Sequence, residues 1–134
     1  MKVATAPFKV NEDILVKRWG EQVKDKPIYD NVKSGKTEYY IVICGSEIVD
    51  EFFLVPKENN LINLNISFKN LTRDVGMTML YLKRDYDKIT FVIDENMYGK
   101  EKLDFLRNKY KVLEDYINED GLSTIVVDIK NTNN

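Results

Sequence analysis

The sequence has no histidine among its 134 residues. That excludes imidazole acid–base catalysis, Ser-His-Asp and Cys-His nucleophiles and histidine-ligated metals. It has one cysteine, so no disulfide can form within the chain. Cys44 stands in the apolar run Tyr39–Cys44 with nothing basic beside it, which reads as core packing rather than a reactive thiol. Alanine is reduced to two residues and proline to three. Little alanine and many β-branched and aromatic side chains favour strands over long helices. No apolar run approaches the roughly 20 residues of a membrane helix. The start, Met1–Pro7, lacks the apolar stretch of a secretion signal. The expected location is the cytoplasm, that of the host if a phage carries the gene.

What is present is ordinary for a folded domain: 43% hydrophobic and 31% charged residues. Twenty basic against twenty-two acidic residues give a net charge of −2, which excludes a strongly basic nucleic-acid binder but leaves room for a local patch. The length suits one domain, expected over residues 1–130, with a frayed polar tail at 131–134. Sixteen lysines against four arginines, with thirteen asparagines and twelve isoleucines, resemble the usage of an AT-rich genome.

The patterning predicts an α+β fold: a mostly antiparallel sheet of five or six strands, an N-terminal helix, and one long C-terminal helix within a terminal β-α-β unit. Leu15, Val16, Trp19 and Val23 fall on one side of a helix that Asn11-Glu12-Asp13 would open and Pro27 would close. Residues 26–37 read as a loop. Strands are expected at 39–44, 47–55 and 62–68, the last marked by alternation of Ile62, Leu64, Ile66 and Phe68 with polar residues. A loop at 70–76 and a hairpin of strands 77–83 and 88–94 follow. A helix from Lys100 to Glu119, stopped at Asp120-Gly121, and a strand at 123–129 complete the chain.

Lys33-Ser34-Gly35-Lys36-Thr37 contains the Gly-Lys-Thr of a phosphate-binding loop. It lacks the first glycine, since Asp30 stands there, and a strand rather than a helix follows, so it reads as an ordinary loop. Asp94-Glu95 at a strand end is a candidate metal site, although such carboxylates are more often solvated turn residues. Tyr81, Lys83, Arg84 and Lys88 are candidates for nucleic-acid or nucleotide binding by stacking and charge, against the plainer reading of core aromatics with edge lysines.

On the 100–119 helix, Leu103, Leu106, Tyr110, Leu113 and Ile117 form one apolar stripe for the core. Phe105, Val112 and Tyr116 form a second, with Lys109 beside it. Either the N-terminal helix, a second copy or a foreign partner has to cover that stripe. These four residues are the candidate interface.

Without histidine or paired cysteines, no spacing selects a catalytic set. The residues therefore favour a non-enzymatic protein-interaction module, an inhibitor or accessory protein that occludes a partner protein or self-associates as a homodimer, with no cofactor. In make-up the chain is similar to accessory proteins of phages and mobile elements. The alternatives are a nucleic-acid or nucleotide-binding module and a metal-dependent enzyme, on the residues named above.

Overall fold

The computed structural model describes residues 2–5, 7–56, 61–66 and 68–132. In chain order the elements are β1 (Lys2–Ala4), α1 (Phe8–Trp19), a 3₁₀ turn (Glu21–Asp25), α2 (Pro27–Ser34), β2 (Glu38–Cys44), β3 (Glu47–Pro56), β4 (Leu61–Ile66), α3 (Leu71–Leu82), β5 (Lys88–Ile93), α4 (Glu95–Tyr98), α5 (Lys100–Lys109), β6 (Tyr110–Ile117) and β7 (Ser123–Thr132). The strands form one seven-stranded sheet in the order β1-β2-β3-β4-β5-β7-β6. All neighbours are antiparallel except β4 and β5, whose parallel ladder runs from Leu61–Lys88 to Asn65–Val92. The α+β class and the antiparallel character hold, and the sheet is larger than the five or six strands expected.

Alternation along β2 sends side chains to two cores, which is why its apolar run is continuous. Tyr40 and Val42 join Phe52, Phe91 and Ile125 under α3 and α5. Tyr39 and Ile41 join Phe53 under α1 and α2. Helices therefore cover both sheet faces.

Five expectations are corrected. Residues 77–83 are not a hairpin strand, because α3 runs from Leu71 through Leu82. Leu71, Val75, Met79 and Leu82 are its buried apolar residues at helical spacing, and the Asn70 side chain caps it by accepting from the Arg73 amide at 3.1 Å. The parallel crossover is therefore β4-α3-β5, whereas β5 meets β7 antiparallel. Residues 26–37 contain α2: Pro27 opens this helix at its first position instead of ending the previous one. The long C-terminal helix stops at Lys109, and Tyr110–Ile117 is the edge strand β6. Cys44 is exposed, since it ends β2 where the chain turns at Gly45.

Residues 57–60, between the expected strands 47–55 and 62–68 and read as a turn, lie outside the described residues. β7 continues to Thr132, into the segment expected to fray. Among the described residues, no helix is long and apolar enough to cross a membrane.

Candidate active site

The single parallel pair marks the place to look. Ligands of open α/β sheets sit beyond the carboxyl ends of parallel strands. Past the end of β4 lie Phe68, Lys69 and the N-terminus of α3. Past the end of β5 lies α4. β3 runs antiparallel to β4, so its Asp50 and Glu51 come level with this end. A cleft of about 510 Å³ opens here, lined by Arg18, Trp19, Asp50, Glu51, Lys69 and Met97.

Glu51 fixes one wall. It accepts from Trp19 Nε1 at 2.6 Å, from Arg18 Nε at 3.1 Å and from the buried Tyr39 hydroxyl. Three donors from two other elements converge on this carboxylate and tie the end of α1 to the sheet. Burial pushes the Tyr39 hydroxyl far above its ordinary pKa, and the Glu51 carboxylate adds to the shift.

Asp50 fixes the floor. Only 1% of it is exposed. The Lys69 amide donates to Oδ1 at 2.8 Å and the Asn70 amide to Oδ2 at 3.4 Å. Its neighbour is Asp74 in the first turn of α3, which is wholly buried. Arg73 donates to Asp74 through Nε at 2.6 Å and through its terminal nitrogen at 3.0 Å. Burial raises the Asp50 carboxyl to about 6, and its hydrogen bond with Asp74 adds to the rise against the two amides. Burial acts to raise Asp74 as well, but Arg73 and Asp50 hydrogen bonds prevail and hold it below the ordinary value. One carboxyl is thus protonated well before the other.

Tyr98 is the last residue of α4. Its hydroxyl oxygen is buried and makes no well-formed hydrogen bond among the described residues, with the Phe68 amide its near neighbour. Burial raises its pKa, Asp50's charge raises it further, and the Phe68 amide acts in the opposite direction. Tyr98 is thus a neutral hydroxyl at physiological pH, close to the ends of β4 and β5, with a proton to donate.

The residues singled out in the sequence lie elsewhere. Phe105 is on α5 and packs against the core, and Lys109 ends that helix with its ammonium 5.5 Å from the Phe105 ring centroid. Val112 and Tyr116 belong to β6, so the four do not form one helical stripe. Leu113 and Ile117, expected in the core, are 41% and 62% exposed, and Tyr116 is 51% exposed. Tyr81 sits on α3, Lys83 and Arg84 follow it, and Lys88 opens β5. Arg84 stacks on the Tyr81 ring at 4.7 Å, so they form a helix-end cluster and not a strand platform. Asp94 caps α4, accepting from the Asn96 amide at 2.9 Å. Asp94 and Glu95 border a separate shallow cleft with Lys100 and Ser123. Among the described residues no group of three or more acidic or cysteine side chains could hold a metal ion. Gly35 closes α2 and a strand follows, the reverse of a phosphate-binding loop's order.

Sequence reasoning missed Asp50, Asp74 and Tyr98. One signal was present: Asp50-Glu51 interrupts the apolar run of β3, and acidic residues inside a strand are seldom buried without a purpose.

No family model and no curated protein matches the chain. Solved structures do. A GNAT-family acetyltransferase from Staphylococcus aureus Mu50 matches at 14% identity and a TM-score of 0.59, over 96% of this chain and 98% of that one. The aminoglycoside 6'-N-acetyltransferase from Enterococcus faecium matches at 14% identity and 0.52, over 98% and 97%. An aminoglycoside 6'-N-acetyltransferase complexed with coenzyme A matches at 12% identity and 0.52, over 98% and 97%. The chain therefore has a GNAT-like fold. This overturns the reading as a non-enzymatic inhibitor or phage accessory protein: solved structures that share the fold are acetyltransferases.

Proposed function

We propose that the chain is an acyltransferase that moves an acyl group from an activated donor to an amine. The observation that carries this reading is the buried Tyr98 hydroxyl, which makes no well-formed hydrogen bond among the described residues. It is buried beside the carboxyl ends of β4 and β5, in a fold whose solved neighbours are acetyltransferases. In such a transfer the amine nitrogen forms a bond to the acyl carbon, the bond to the leaving group breaks, and the amine's proton ends on that leaving group. Negative charge develops on the acyl oxygen and the leaving atom. A preorganised donor aimed there is worth far more than in water. Tyr98, protonated at neutral pH like any tyrosine, would donate a hydrogen bond to that charge. Trp19 and Met97 give the acceptor apolar walls, and Glu51, held by three donors, keeps the Trp19 wall in place.

Coenzyme A, bound in one neighbour, carries a diphosphate. In this topology its natural resting place is the N-terminus of α3, where free amides and the helix dipole attract anions. Several groups around that end are already engaged. Asp50 already takes the Lys69 and Asn70 amides, the Asn70 side chain takes the Arg73 amide, and the Arg73 guanidinium is committed to Asp74.

The reading is tested by incubating the protein with the acetyl thioesters of pantetheine and of coenzyme A and a panel of primary amines, with N-acetylated products detected by mass spectrometry. Product formed above the uncatalysed rate with either donor supports it. No product with either donor rejects it.

A further inference from the structure

We propose that the cleft between the N-terminus of α5 and the β6–β7 turn binds a small zwitterion of the α-amino-acid type, its carboxylate at the helix end and its ammonium at Asp94 and Glu95. The site goes beyond the acyltransferase reading and does not depend on it.

One serine breaks an apolar row. Ser123, Ile125, Val127 and Ile129 share one face of β7, and the last three are core residues with those of α3 and α5. Ser123 pairs with the core residue Ile93 of β5 on one side and with Ile117 of β6 on the other, so its side chain stands on that same face. Ser123 is only 1% exposed, and its hydroxyl makes no well-formed hydrogen bond among the described residues. A buried hydroxyl in that state costs about 1–3 kcal/mol, a cost that alanine would avoid. Ser123 also lines a cleft of about 460 Å³, a volume within the range of small-molecule sites. A ligand in the cleft can supply the hydroxyl's missing partner.

The rest of the lining selects the ligand. Gly99 and Lys100 bring the N-terminus of α5 to the cleft. Gly99 takes the cap position with φ 82°, a backbone that favours glycine, and no side chain caps the helix. The first amides of this ten-residue helix and its dipole attract an anion, and the Lys100 ammonium adds to the pull. Asp94 and Glu95 line the same cleft, which disfavours a plain phosphate. Lys100 and the helix end disfavour a plain cation. A ligand with both charges meets each with its opposite. Asp94 gives one oxygen to the Asn96 amide at 2.9 Å and keeps its charge. α4 divides this cleft from the first, with Met97 in the wall of one and Asp94, Glu95 and Asn96 in the wall of the other.

The test is an amide-resolved NMR titration of the whole protein with four probes. They are a pool of L-amino acids with uncharged side chains, the pool of their methyl esters, the pool of their N-acetyl derivatives, and inorganic phosphate. The esters keep only the ammonium and the N-acetyl derivatives only the carboxylate. The amino-acid pool is expected to shift the amides of Lys100 to Lys102 and of Ser123, and to saturate below about 10 mM. The other three probes are expected to bind at least about tenfold more weakly, since each leaves charged groups of the cleft unpaired. Ser123→Ala is expected to weaken the amino-acid pool about tenfold and Glu95→Gln about threefold. No shift at the α5 N-terminus overturns the proposal. So does a singly charged probe or phosphate that binds as tightly as the amino acids, or either variant binding like the native chain. The probe series on the native chain decides even where a variant does not fold. Acyl transfer is not read in this titration, so the two readings fail separately.

Discussion

The indole Nε1 of Trp19 donates to Glu51 at 2.6 Å, joining the last residue of α1 to the middle of β3. This bond makes one wall of the cleft part of the sheet. Removing the carboxylate would strand the indole, the Tyr39 hydroxyl and Arg18 together. Glu51→Ala is expected to cost about 3 kcal/mol and Glu51→Gln about 1 kcal/mol, because glutamine retains an acceptor. Urea unfolding followed by Trp19 fluorescence measures both.

Tyr98→Phe separates stability from function. A buried hydroxyl with no well-formed hydrogen bond among the described residues contributes little to folding, so its removal is expected to leave stability unchanged or raise it by about 1 kcal/mol. The same change is expected to lower the acyl-transfer rate about 10- to 100-fold, since a donor to developing charge is lost. Paired unfolding and turnover measurements on one preparation check the split.

Asp50 sets a pH dependence of stability. Its carboxyl is raised to about 6 when folded, above the ordinary 3.8. Between these values the folded chain holds a proton that the unfolded chain has released. Its contribution therefore makes stability fall as pH rises from about 4 to about 6, and level above that. Asp74 is shifted downward, so its contribution is present above its ordinary value and is lost as pH falls through its folded value, below the Asp50 window. Asp50→Asn is expected to abolish the slope between 4 and 6 while leaving the acid limb of Asp74. Unfolding midpoints across about pH 3 to 8 would show it.

Phe105 and Tyr116 are expected to respond differently, although sequence spacing joined them. Phe105 packs on the core and Tyr116 is half exposed on the edge strand. Phe105→Glu is expected to cost about 2–3 kcal/mol and Tyr116→Glu less than about 0.5 kcal/mol. Equal costs would mean that the two share one environment.

The strands were legible where alternation or a doubly buried run left a clear period, as in Tyr39–Cys44 and Lys88–Ile93. α3 was not, because Met77–Leu82 is a short apolar run that periodicity alone cannot assign to helix or strand. Its helical signal lies in Leu71, Val75 and Met79, partly before that run. The helix at 100–109 was read correctly at its start. It was carried too far because Tyr110, Leu113 and Ile117 continue a 3-4 spacing by chance through a strand, with no glycine or proline to mark the change. The site was hidden for a different reason. Trp19, Asp50, Lys69 and Tyr98 come from four separate segments, and only the β4-α3-β5 crossover brings them to one end of the sheet. No spacing in the chain encodes that meeting.

The most direct measurement of the central claim is the initial rate of amine acetylation from a pantetheine acetyl thioester, native chain against Tyr98→Phe. The account predicts a native rate well above the uncatalysed one and a variant that is folded yet slowed at least about tenfold. A native rate equal to the uncatalysed one, with both proteins folded, would contradict it.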